Sequence, residues 1–165
     1  MPGARSSSAR ARRADVLAVT TTATAELTVA SVDALALWLG GLRGCPPVTR
    51  TVVVDCPTHP AEAGDAAWFV VRADPRDGLA EHRCLACGDA RWLLGRLGYP
   101  DPWGCTGCGG SQLELVAGLS CSGSGDSETV GWVVLAGRCV GCGAVAGLAD
   151  ATVPGLPLAE VLARL

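Results

Sequence analysis

Nine cysteines mark the chain as a candidate for metal chemistry: Cys45, Cys56, Cys84, Cys87, Cys105, Cys108, Cys121, Cys139 and Cys142. Six of them fall into three C-x-x-C-G units, CLACG at 84–88, CTGCG at 105–109 and CVGCG at 139–143. Cys56 opens a related unit, CPTH, which ends at His59. Two residues between ligands let one tight turn aim both side chains at a point. A glycine after the second ligand allows the positive φ that brings backbone N–H groups close to sulfur. The pattern predicts a metal bound by Cys56, His59, Cys84, Cys87, Cys105, Cys108, Cys139 and Cys142. Four two-ligand turns and a four-ligand ion give two Zn2+ per chain. Other cysteine chemistries fit less well. A disulfide scaffold calls for a secretory leader, and none is visible. A thioredoxin-type motif occurs once, not three times. Zinc deaminases require an H-x-E before P-C-x-x-C, which this chain lacks. Four thiolates also suit an iron–sulfur cluster, which keeps iron as an alternative.

The turns can be combined in two ways. Sequence neighbours would place Cys56, His59, Cys84 and Cys87 on one ion and Cys105, Cys108, Cys139 and Cys142 on the other. The competing arrangement joins Cys84 and Cys87 to Cys105 and Cys108 across 17 residues. Neighbour pairing is favoured because each hairpin then lies inside its own site. His82 is the substitute ligand for His59, but its side chain is expected to face away from a metal held by the turn. Cys45 and Cys121 read as plain thiols.

The elements that must position these turns are mostly short strands. Residues 16–20 and 26–30 read as two strands, and Ser31 as the N-cap of a helix over 32–39. Val32, Leu35, Leu39 and Leu42 share one face of that helix, and Gly40 and Gly41 stop it. Residues 51–55 and 68–72 (WFVVR) are β-branched or aromatic runs. Gly95, Gly98, Pro100 and Pro102 interrupt regular structure and predict a linker over 95–102. Residues 112–119 and 130–136 are further strand candidates flanking a flexible tip, CSGSGD. Pro157 opens a final short helix with Leu158, Val161, Leu162 and Leu165 on one face.

Turn, strand, hairpin return and second turn make up the organisation of a zinc ribbon. Residues 103–150 closely resemble the zinc ribbons of transcription elongation and initiation factors in spacing and in the flexible tip. Residues 51–94 repeat the pattern more loosely. The resemblance implies structural metal. Elongation-factor ribbons also carry an adjacent acidic pair at the tip that assists RNA cleavage. Here Asp126 and Glu128 are split by Ser127, and the family's basic residues around the tip are missing. No Ser/His/Asp set, phosphate-binding glycine loop or free catalytic histidine accompanies them, so no enzymatic activity is expected.

Composition narrows the partners. Ala, Gly, Leu and Val number 26, 22, 20 and 18 in 165 residues, while Lys, Ile and Asn are absent. That bias points to a high-GC bacterial genome. Phe and Tyr occur once each, so apolar packing has help from another source. Four of the 13 Arg lie in the first 13 positions, and residues 1–14 read as a disordered tail. Residues 17–165 carry 9 Arg against 15 acidic residues, a formal balance of −6. An acidic body opposes a phosphate backbone. No stretch approaches the ~20 apolar residues of a membrane helix. The five tryptophans read mainly as packing residues, with one or two available to anchor a partner. The expectation is a small, strand-rich α+β protein of the bacterial cytoplasm. It comprises an N-terminal ββα segment (15–50), zinc ribbons at 51–94 and 103–150, and a C-terminal helix within 151–165. It serves as a protein-binding or adaptor module. A transcription-associated ribbon protein contacting polymerase or nucleic acid is the alternative.

Overall fold

The computed structural model describes residues 27–42, 46–59, 67–94 and 100–165. The expected tail at 1–14, the strand at 16–20 and Cys45 lie outside them. Helix α1, Val32–Gly40, begins where its cap predicts: the Ser31 hydroxyl accepts from the Ala34 amide at 3.2 Å. Gly41 closes it by donating to the Trp38 and Leu39 carbonyls. Leu35 and Leu39 are buried on the sheet, with Val32 and Leu42 partly buried beside them. The strand expected at 26–30 is reduced, among the described residues, to one bridge from Thr28 to Ala144. Its carbonyls are otherwise engaged, since Arg138 donates to Val29 O at 2.8 Å and to Ala30 O at 3.0 Å.

Eight strands form one antiparallel sheet: β1 Arg50–Val53, β2 Phe69–Asp74, β3 Leu79–Cys84, β4 Ala90–Leu94, β5 Asp101–Pro102, β6 Leu113–Ser122, β7 Thr129–Cys139 and β8 Val145–Pro157. The order is β4-β3-β2-β6-β7-β8, with β1 on β6 and β5 on β2. The expected linker thus ends in a strand. Asp101 and Pro102 pair with Ala73 and Arg72, and Trp103 N donates to Val71 O at 2.9 Å. The C-terminal helix is shorter than 151–165 because β7 still holds the chain there, with Trp132 opposite Thr152 and Val133 opposite Ala151. Helix α2, Leu158–Leu162, follows Pro157 and buries Val161.

The pairing repeats with two-fold reciprocity. Phe69 faces Leu113, where β2 meets β6. On one side of that pair Phe69 faces Cys84, and on the other Leu113 faces Cys139. Val54 N donates to Leu115 O at 3.0 Å, and its counterpart Trp103 N donates to Val71 O. Leu85 N donates to Trp68 O at 2.9 Å, and Val140 N to Gln112 O at 3.0 Å. Two units, β1 to β4 and β5 to β8, therefore follow the same plan. Each lends its first strand to the second strand of the other. Both cysteine clusters consequently lie at matching positions on either side of Phe69–Leu113.

The sheet also curls. The turn before β3 approaches β8 so closely that a Cβ on Gly78 would lie 2.7 Å from Asp150 O. Leu113, Leu115, Leu119, Leu135 and Phe69 fill the interior, and α2 adds Val161.

Candidate metal centres

The second unit gathers four sulfurs. Cys105 and Cys108 come from the turn before β6, and Cys139 and Cys142 from the turn after β7. All four Sγ atoms lie within 4.8 Å of one another. Cys105–Cys142 and Cys108–Cys139 are each 3.5 Å apart. A zinc tetrahedron with bonds of ~2.3 Å has edges of about 3.8 Å, so the sulfurs already stand near the corners of one. The local sequence produces this. Gly109 N donates to Cys105 O and Cys105 N to Gly110 O, both at 2.8 Å, closing the first turn. Gly143 N donates to Cys139 O at 2.8 Å, with Gly143 at φ +75°. Gly110 and Gly141 roof the sulfurs, and a Cβ on either would come within 3.4 Å of Cys108 Sγ.

Electrostatics divide the roles of these thiols. Burial opposes ionisation of Cys105, but the Cys108 and Gly107 amides more than offset it, and the thiol falls to about 7. At Cys142 the Ala144 amide favours the thiolate. The hydrogen bond to Cys105, helped by burial, instead pushes that thiol up to about 12. The Cys105 sulfur thus ionises readily while Cys142 holds its proton. A divalent cation displaces those protons, so binding is coupled to proton release.

The first unit gathers three sulfurs, Cys56, Cys84 and Cys87, also within 4.8 Å of one another. Cys56 and Cys87 are 3.5 Å apart. The grouping in both units is that of sequence neighbours. Cys84 is lowered: burial opposes its thiolate, and the Cys87 and Ala86 amides overcome it. The Cys56 sulfur accepts from the His59 and Thr58 amides, yet burial and the Cys87 thiol keep it raised. In the turns that begin at Cys56, Cys84 and Cys105, the amides two and three residues on point back at the first sulfur. CPTH shares this sulfur-directed amide pair, with His59 at the sequence position of Cys87 and Cys108, but its turn closes one residue earlier. His59 N donates to Cys56 O at 3.0 Å. The imidazole itself is exposed and lies outside the three-sulfur group.

His82 is buried at 2% exposure, edge-on to Phe69 with ring centroids 5.2 Å apart. It faces the core and lies outside both sulfur groups. Cys121 lies on β6, half-buried and away from both centres. At the hairpin tip Asp126 is exposed, whereas Glu128 is tied to Arg50 at 3.0 Å. Trp132 is buried and donates to Asp150 at 3.1 Å, and Trp103 packs on the core. Trp68 is exposed.

The sequence reading missed the sulfur-roofing glycines, although the extra Gly110 in CTGCGG was a visible sign. It also missed the apolar pair Trp68 and Leu85 beside the first centre. No helix among the described residues is long and apolar enough to cross a membrane. No protein family, curated protein or solved structure matches the chain.

Proposed function

We propose that this is a non-enzymatic protein-interaction module of the bacterial cytoplasm, built on two tandem zinc ribbons at 51–94 and 103–150. The convergence of Cys105, Cys108, Cys139 and Cys142 carries the metal assignment. Four protein ligands close the coordination sphere and leave no position for a substrate, which supports a structural ion. His59 completes the first centre as a fourth ligand, because the Thr58 and His59 amides point at the Cys56 sulfur as the Gly107 and Cys108 amides do at that of Cys105.

Trp68 and Leu85 support the interaction role. They are cross-strand neighbours, 49% and 43% exposed, beside the first centre. Their counterparts in the second unit are Gln112 and the half-buried Val140. Large apolar side chains kept in water at this position in the first unit, and not at the matching position in the second, are what a protein partner would cover.

Elemental analysis of freshly purified protein is expected to give two zinc ions per chain; one or fewer would end the two-ribbon reading. Trp68→Ala should retain both ions and weaken binding of the partner that co-purifies from the native host. That binding should also resist salt. A steep loss with salt would favour the nucleic-acid alternative.

A further inference from the structure

We propose that the two centres differ in kind: the second is a locked structural site, and the first is an exchangeable one in which His59 is a displaceable ligand. The inference rests on the two-zinc reading above and concerns what the first site does with its ion.

Reciprocity of the two units supplies the comparison, because each ligand of one centre has a counterpart in the other. Cys108 is held by backbone on both sides: Gly109 N donates to Cys105 O, and Cys105 N to Gly110 O. The residue after His59 is Pro60, which has no N–H to return to Cys56 O. Cys56 N is instead satisfied by the Asp55 carboxylate at 2.8 Å. Among the described residues, the CPTH turn is closed one residue earlier than the turn of Cys108: the His59 amide itself donates to Cys56 O at 3.0 Å, where Gly109 donates to Cys105 O. Glycine backbone also roofs the Cys108 sulfur through Gly110 and Gly141. The residue matching Gly141 is Ala86, so a methyl group replaces bare glycine backbone there.

Ligand chemistry points the same way. Replacing a thiolate by a neutral imidazole removes one charge from the donor set and one soft donor from the ion. Three sulfurs stand together, two of them deeply buried, while the imidazole lies in solvent outside their group. A zinc held this way keeps one corner that opens without disturbing the sheet. Through that corner the ion can pass to a stronger chelator, or accept an outside donor of the thiol or imidazole class.

The test uses the full-length, two-zinc protein mixed with excess chromogenic chelator in a stopped-flow instrument. Release should be biphasic, with one equivalent leaving at least about tenfold faster than the other. His59→Cys should slow the fast phase toward the slow one. His59→Ala should accelerate it, and added imidazole should slow it again by refilling the corner. Release of both ions at one rate would overturn the proposal. So would a fast phase that neither His59 variant changes. Protein that carries fewer than two ions before mixing would instead count against the two-zinc reading itself.

Discussion

His82 is the buried residue with the clearest pH signature. Burial, followed by the nearby Arg91 charge, lowers its imidazole from 6.5 to about 4, against weaker opposing help from the Leu165 carbonyl and Asp89. Its Nδ1 has no hydrogen-bond partner among the described residues, so the fold holds the neutral ring. The unfolded chain therefore binds a proton between about pH 6.5 and pH 4 that the folded chain refuses. The stabilisation is complete above pH 6.5 and is lost as pH falls through that window, by about 2 kcal/mol at pH 5. Denaturant titrations of the zinc-loaded protein at pH 7 and pH 5 should show this loss, and His82→Leu should reduce it. An unchanged difference in the variant would contradict the assignment. Single residues were unevenly legible in the sequence. Spacing alone displayed the cysteines, because a turn's reach is fixed by chain geometry. The fate of His82 depends on the aromatic ring across the sheet, which spacing does not encode.

Among elements, β6 carries the strictest requirement. Gly118 lies beneath α1, and a Cβ there would sit 2.9 Å from Val134 Cγ1 and 3.0 Å from Leu39 Cδ2. The β-branched Val134 cannot swing aside, so Gly118→Ala should cost about 1–3 kcal/mol. Gly147 on β8 has open space at the same test, and Gly147→Ala should leave the melting temperature nearly unchanged. Thermal melts of both variants distinguish crowding from a general glycine effect. The cap of α1 and the cores of β6 and β7 could be read directly, since both signals are local. β8 could not, because its Gly- and Ala-rich sequence lacks a β-branched run and is held by β7. β5 is shorter still and contains Pro102; it is a strand only because β2 offers an edge.

At the scale of the whole molecule, the two units are not independent. β1 leads into Cys56 but pairs with β6 of the other unit. Damage to the second centre should therefore reach the first turn of the first. In Cys139→Ser, amide exchange should quicken at Gly143 and Val140, and also at Val54, whose N–H donates to Leu115 O. Gly88, bonded within its own turn to Cys84 O at 2.9 Å, should stay slow. Protection at Val54 equal to that of the unaltered protein would mean two separable ribbons, the organisation expected from the sequence. The cross-unit pairing itself was not legible, because it is a long-range property, invisible in the 95–102 segment that reads as a spacer. The same reciprocity bears on how the chain behaves in company. A bond set that each unit gives to the other can also be satisfied by the complementary unit of a second molecule. Crowded refolding therefore has a second closed solution, a swapped dimer that needs no new interface.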